Sequence, residues 1–541
     1  MKKRCLIFAM VAAFVMLPLM AQAATEFTLG GYLKLATGWT SDTQTSLNFS
    51  NYVTRNNGLN GGLNNAAINV ATAVNAAASF NNVVANRNHG KLMMSATGSR
   101  FNFTIKGPEL WGAKITGLFE VDFDGQTTAT AGNNRTTVDS GPNTSQGVLR
   151  LRHAMFRLNW PETELMFGQY WGALSEWGPD VIDGGAMCLY GFQSLREPQI
   201  RLTQKFAGDW QVAAALSAAN NGRWGINLDG NDTTEGESSE TPKVTGRVRY
   251  EKDLWGKAPY LGALKGFVAE LGGSWYRTRH TARNLIGAST WGFNNYQANG
   301  NVGTGGAPFG VANGQLMGAN ANGIVGTWQQ ANAQYRNNWM IQGTFFIPVI
   351  PTYSKNLAGT MSVLVQPFLG QGLSGWRMDL PNADRYWSFR NSTGGGAGIR
   401  YNYNIEMVQR WGVGTQIQYY FNNEWFINAN YGINQAIGNA NSKSRSPAAA
   451  VNAANPLGYK YATLQDQVAL AQMVNLNLWY RPIQALKLGL QYTFQNCGYY
   501  QATSATATGF GATAIAADNF VGNKSKEGYT HSLMFGGFFF F

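Results

Sequence analysis

Residues 528–541 read Gly-Tyr-Thr-His-Ser-Leu-Met-Phe-Gly-Gly-Phe-Phe-Phe-Phe, with Leu533, Phe535, Gly537, Phe539 and Phe541 forming an apolar row on every second position. A two-residue period is that of a strand with one apolar face. In a soluble sandwich this row would need a second sheet to cover it. In a membrane barrel it faces lipid while the last strand pairs with the first, so no open edge remains. A terminal Phe is also the kind of signal that barrel-assembly machinery reads.

The same alternation recurs along the chain. Phe27, Leu29, Gly31, Leu33 and Leu35 alternate with a row that includes Glu26, Thr28, Tyr32 and Lys34. Phe101, Phe103 and Ile105 follow, then, after Gly107-Pro108-Glu109, Ile115, Gly117, Phe119, Val121 and Phe123 opposite Thr116, Glu120, Asp122 and Asp124. Further segments fall near 147–159, 163–172, 198–206, 209–219, 242–251, 266–277, 338–347, 359–369, 411–421, 424–434, 471–481, 485–496 and 528–541. The expected fold is therefore all-β: a transmembrane antiparallel β-barrel of about sixteen strands. Connections are short at Trp160-Pro161-Glu162, Ala207-Gly208-Asp209, Asn422-Asn423 and Pro482-Ile483-Gln484. They are long near 125–146, 172–197, 220–241, 278–337, 370–410, 435–470 and 497–527, and the 393–410 stretch has room for extra strand. Short periplasmic turns and long extracellular loops produce such a pattern, and an even strand count puts both termini in the periplasm. Trp111, Trp160, Trp210, Trp255, Trp425, Tyr480 and Phe541 fall at the short-turn ends, where amphipathic rings suit the headgroup level.

Composition agrees. Of 541 residues, 44% are hydrophobic, 13% aromatic and only 13% charged, with 65 glycines and a net charge of +12. That charged fraction is about half what a soluble domain carries. Lys2-Lys3-Arg4, the apolar stretch from Leu6 to Met20 and Ala21-Gln22-Ala23 make residues 1–23 an expected signal peptide, leaving 24–541 as one barrel domain. Beyond that leader no apolar run is long enough to span a membrane as a helix. Cys188 and Cys497 remain in the mature chain and could form one bridge or none.

A barrel of this size is too wide for side chains to fill, so an aqueous channel is expected. Strand pattern begins at Glu26, which leaves no room for an N-terminal plug, and any gate must be a loop. The candidate is 172–197, which holds Trp177-Gly178-Pro179-Asp180, Asp183-Gly184-Gly185, Met187, Leu189, Tyr190 and Phe192. Folded inward, it would bring Asp180, Asp183, Arg196 and Glu197 to the narrowest part; left outside, it would serve subunit packing. A basic wall is expected opposite. Arg150 and Arg152, Arg201 and Lys205, Lys243, Arg247 and Arg249, and Lys487 all alternate with apolar residues. Facing lipid they would cost about 2 to 4 kcal/mol each near the midplane, so they face the lumen. Glu120, Asp122, Asp124 and Glu270 share that face. A positive excess at close quarters favours anions, whereas simple neutralisation of the acids would not. After His153 the parity of Met155, Phe156 and Leu158 breaks, which points to a bulge and leaves the direction of Arg157 open.

Catalysis finds little support. His89, His153, His280 and His531 are scattered without metal-ligand spacing, and there is no haem-attachment motif, so neither cofactor nor metal is expected. Nothing suggests a nucleic-acid partner. Two other readings remain: a structural or adhesive barrel with a closed lumen and partner-binding loops, and an outer-membrane hydrolase built on His153.

The segments Thr25-Glu26-Phe27-Thr28-Leu29-Gly30-Gly31-Tyr32, Arg150-Leu151-Arg152-His153-Ala154, Phe167-Gly168-Gln169-Tyr170-Trp171, Pro198-Gln199-Ile200-Arg201-Leu202-Thr203-Gln204 and Gly489-Leu490-Gln491-Tyr492-Thr493 resemble those of Gram-negative trimeric porins, the DcaP-like group in particular. The resemblance covers most strands and little of the loops. It implies a homotrimer of sixteen-stranded channels in the outer membrane, embedded in lipid and lipopolysaccharide. It further implies a constriction loop after the fifth strand, here 172–197, and a positively charged eyelet for small organic anions such as dicarboxylates. That group often carries an N-terminal coiled coil, which the strand pattern here does not provide for, so trimer stability would rest on barrel contacts.

Overall fold

The structure, a computed structural model, describes residues 25–41, 90–125, 147–182, 190–193, 195–218, 239–287, 309–312, 315–319, 325–376, 385–392, 399–437, 461–462, 468–499, 506–507, 515–516 and 527–541. The expected signal peptide, Asp183, Cys188, His89 and much of the long loops lie outside them. Sixteen strands form the wall: β1 (Glu26–Thr40), β2 (Arg100–Leu110), β3 (Ala113–Gly125), β4 (Val148–Asn159), β5 (Thr163–Trp171), β6 (Arg196–Phe206), β7 (Trp210–Ser217), β8 (Lys243–Lys252), β9 (Phe267–Gly287), β10 (Val325–Ile350), β11 (Met361–Gln371), β12 (Gln409–Tyr420), β13 (Trp425–Ile437), β14 (Val468–Ile483), β15 (Leu486–Tyr499) and β16 (Glu527–Phe540).

Every strand pairs antiparallel with its sequence neighbour. The ring closes where β1 meets β16, with Leu33 opposite Phe539 and Leu35 opposite Gly537. Closure satisfies both edges, the condition for a sheet to lie in hydrocarbon. All sixteen segments expected from the alternation are strands of this ring.

The pleat sorts the side chains. Leu271 is 63% exposed on the outside while its neighbour Glu270 is 3% exposed inside. Outward rows such as Phe27, Leu29, Leu33 and Leu35 are apolar, whereas Gln199, Thr245, Gln342, Gln416, Asn475 and Gln491 are buried within. At the short-turn end Trp425 stacks on Tyr480 with ring centroids 4.4 Å apart, Trp210 lies 4.9 Å from Tyr250, and Trp160 Nε1 donates to the Trp111 carbonyl at 3.0 Å.

Two departures from the sequence reading and one agreement have simple causes. The expected loops at 278–337 and 370–410 carry strand, because β9 and β10 run on past the apolar band and hairpins form at Phe309–Ala312 with Gln315–Ala319 and at Arg385–Ser392 with Ile399–Met407. Above the membrane no lipid face enforces alternation, so period two stops marking the strand. Second, the β8–β9 turn folds into a small hairpin, Ala258–Tyr260 against Ala263–Lys265, that buries Tyr260. Third, the register between β3 and β4 shifts: Glu120 faces His153 but Val121 faces Leu151, skipping Arg152. That is the bulge expected near His153. It turns Arg152 and His153 inward together and carries Arg157 to the inner face, where its guanidinium lies over Tyr170.

Candidate pore constriction

The loop leaves β5 at Gly172 and returns at Leu195, the two joined by a hydrogen bond from the Gly172 amide to the Leu195 carbonyl at 2.9 Å. Between these points its described residues run along the inside of the wall. Arg247 on β8 donates to the Ala173 carbonyl at 2.8 Å, and Gln342 on β10 donates to the Leu174 carbonyl at 2.8 Å. Leu174 itself packs with Tyr276, Met340 and Phe368 from β9, β10 and β11. The Asp180 amide donates to Gln416 Oε1 on β12 at 2.6 Å, and Asn428 on β13 donates to the Asp180 carbonyl at 2.7 Å. Finally the Ile182 amide donates to Gln491 Oε1 on β15 at 2.7 Å and Lys34 on β1 donates to the Ile182 carbonyl at 2.8 Å.

Apolar loop residues find built seats. Trp177 lies against Phe346 of the wall and Tyr260 of the β8–β9 hairpin, with centroids 5.8 and 4.6 Å away. The Tyr260 hydroxyl accepts from the Gly178 amide at 2.9 Å and donates to the Gly178 carbonyl at 3.1 Å, so the hairpin props the loop from the short-turn side. Burial pushes the Tyr260 phenol well above its ordinary pKa and keeps it a donor. Tyr190 and Phe192 are buried against Gly432 of β13 and Gly414 of β12. A Cβ at Gly414 would sit 2.6 Å from the Phe192 ring, so these glycines provide the clearance for the returning chain.

The charged residues form four groups. Arg201, Arg247 and Arg249, from β6 and β8, converge on loop residue Glu176 at 2.8, 2.7 and 2.7 Å, and Arg249 also reaches Glu270 at 2.8 Å. Burial pushes the Glu176 carboxyl up, but Arg247, Arg201 and Arg249 together outweigh it and hold the group well below the usual carboxylate range. Lys243 pairs with Glu197 at 2.8 Å, and Lys487 pairs with Asp180 at 2.6 Å. The fourth group lies on β2 to β4: Arg150 binds Asp122 at 2.7 Å and Asp124 at 3.1 Å, Arg152 binds Glu120 at 2.6 Å and Asp122 at 2.8 Å, and Arg100 lies 3.5 Å from Glu120.

The expected single basic wall is thus divided. Arg201, Arg247, Arg249, Lys243 and Lys487 engage the loop and its base, while Arg150 and Arg152 pair with wall acids in the sector from β2 to β4. Lys205 lies exposed near the short turn, on the Arg201 side of β6. Arg196 begins β6 and lies over the Trp171 ring at 5.3 Å, and that ring lies 5.5 Å from the buried His153. Glu176, Tyr260, Arg100 and Lys34 were not anticipated. A clue to Glu176 existed in three inward arginines at one level of β6 and β8, which need a carboxylate that the strands alone do not supply.

Among the described residues no group of His, Cys, Asp and Glu could hold a metal ion. The His153 ring is tilted against Tyr170 with centroids 4.7 Å apart and has Glu120 at 3.7 Å, and Cys497 Sγ lies 3.4 Å from the Tyr190 hydroxyl.

Neither a protein-family model nor a curated protein sequence matches the chain. Among solved structures, the outer membrane channel DcaP of Acinetobacter baumannii superimposes with a TM-score of 0.51 at 13% identity, over 96% of this chain and 99% of that one. The fold is that of a porin. OmpT of Vibrio cholerae, at a TM-score of 0.42 and 10% identity, and an anion-selective porin from Comamonas acidovorans, at 0.40 and 9%, are also similar, each over 96% of this chain and 99% and 100% of theirs.

Proposed function

We propose that the protein is an outer-membrane porin of a Gram-negative bacterium, a passive diffusion channel for small hydrophilic solutes that favours anions such as organic acids. The observation that carries this is the closed sixteen-strand ring, apolar outside and polar inside, with the loop after β5 laid along its inner wall. Its narrowed passage lies between that loop and the sector from β2 to β4. Water is the natural filling. Buried amides of Gln418, Asn430, Asn475 and Asn477 have no protein partner among the described residues, and such groups need one.

Selectivity follows from charge sharing. Seven arginines (100, 150, 152, 157, 201, 247 and 249) share six carboxylates, Glu120, Asp122, Asp124, Glu164, Glu176 and Glu270. Pairing cancels most of the field and leaves a modest positive surplus, which favours anions without trapping them. Arg forks on the β2–β4 sector suit the two oxygens of a carboxylate. The homotrimer rests on the resemblance of the strand motifs, and lipopolysaccharide would be the outer-leaflet surround.

Swelling of liposomes holding the purified protein tests the solute preference, using a small dicarboxylate against an uncharged polyol of similar size. Faster entry of the dicarboxylate is expected; faster entry of the polyol would end the anion claim, and no swelling with either would end the channel claim.

A further inference from the structure

The outer surface of the barrel changes chemistry sharply midway along β9 and β10, level with the extracellular ends of β11 and β12. On the outward face Trp275 lies opposite Trp339, and Leu369 opposite Trp411. One step higher the outward row turns polar. Arg277 Nε donates to Asn337 Oδ1 at 3.4 Å, Gln371 donates to the Asn337 carbonyl at 3.0 Å, and Gln409 donates to Gln371 Oε1 at 3.4 Å. Arg279 follows on the same face, opposite Tyr335.

From Phe267, in the short-turn aromatic girdle, to Arg277 is ten residues; at about 3.3 Å each and a tilt of about 40° they rise roughly 25 Å. That equals the height of a barrel's apolar band, so Arg277 and Arg279 stand where hydrocarbon gives way to headgroups. The row of tryptophans directly beneath marks the same boundary from below.

Among the described residues neither arginine has a carboxylate within salt-bridge reach, and the buried Nε of Arg279 has no hydrogen-bond partner. Arg277 is instead oriented by rings, 6.0 Å from Trp275 and 5.6 Å from Tyr335. A ring-oriented guanidinium with a second one step above it, on an outward face at headgroup level, suits an anionic lipid headgroup. We propose that β9 and β10 carry a binding site for the phosphorylated headgroup of an outer-leaflet glycolipid. Arg277 and Arg279 take the phosphate, the amides of Asn337, Gln371 and Gln409 face the sugar hydroxyls, and acyl chains lie along Trp275 and Trp339. The site rests on the outer-membrane reading given above.

Native mass spectrometry of the purified, folded protein with bisphosphorylated lipid A as the probe tests it. Lipid A is expected to bind, to bind at least about tenfold more weakly to the R277Q/R279Q double variant, and to lose affinity similarly when its phosphates are removed. An R277K/R279K variant, which keeps the charge, should retain most of the phosphate dependence and serves if the glutamines impair folding. Equal affinity in wild type and R277Q/R279Q would overturn the site. So would full displacement by millimolar inorganic phosphate, which would make it a free-anion site. A change of oligomeric state with unchanged lipid affinity would also overturn it, making the face a subunit contact. Conductance separates the two claims: a wild-type protein that binds lipid A but does not conduct refutes the channel alone, whereas a conducting one whose lipid affinity ignores these substitutions refutes the site alone.

Discussion

Replacing Glu176 with Gln should loosen the constriction loop without opening the barrel. The carboxylate accepts from Arg201, Arg247 and Arg249 at 2.8, 2.7 and 2.7 Å, and these are the loop's densest ionic ties to the wall. Removing one member of a buried ion cluster costs about 3 to 5 kcal/mol. Three features place this case at the low end. The Glu176 side chain is 21% exposed, Arg249 keeps Glu270 at 2.8 Å, and Arg247 keeps the Ala173 carbonyl at 2.8 Å. A loss of about 3 kcal/mol multiplies the undocked fraction of the loop about 150-fold. The remaining ties at Asp180, Ile182 and Trp177 still hold the far part of the loop. Single-channel recording should show open-state current with markedly greater noise, and the reversal potential in a salt gradient should move further toward anions because one negative charge is gone. The barrel's own unfolding temperature should change little, since the sixteen-strand pairing is untouched. Unchanged noise and unchanged reversal potential would refute the argument that Glu176 holds the loop.

Other outcomes follow from the same geometry. Because the Glu176 pKa is depressed, its stabilisation is complete above the unfolded carboxylate value and is lost only as pH falls through the much lower folded one; channel noise should therefore be flat from pH 7 to about pH 4, and a rise already at pH 5 would contradict the assignment. Lys487→Met removes the 2.6 Å partner of Asp180 and leaves that buried carboxylate without its cation, so loop protection in hydrogen exchange should fall by about 2 to 3 kcal/mol around Asp180. Tyr260→Phe loses both hydrogen bonds to Gly178 but keeps the ring packed on Trp177, at a cost of about 1 kcal/mol; Tyr260→Ala should cost about 3 to 5 kcal/mol, read by the same exchange experiment. Asp122→Asn frees Arg150 and Arg152 from a shared carboxylate and should raise the anion-to-cation permeability ratio.

The membrane-spanning part of this fold was legible because lipid imposes a rule on every second residue. Leu149 and Leu151 point out, so Arg150 and Arg152 point in, and the break in that rule at His153 marks the bulge. The rule lapses where lipid ends, which is why the extensions of β9 and β10 and the 258–265 hairpin were not foreseen. Inward arginines were identifiable one at a time, but their partners were not. Glu176 meets Arg201, Arg247 and Arg249 only because a loop far from β8 in sequence crosses the interior, and Tyr260 meets Gly178 only because a turn on the other side of the membrane folds up to it.

Planar-bilayer recording of the purified wild-type protein under a tenfold salt gradient tests the central claim most directly. Discrete conductance steps with a reversal potential of the sign set by anion permeation are predicted. A cation-signed reversal potential would contradict the charge argument, and a membrane that stays silent with folded protein inserted would contradict the open, water-filled barrel.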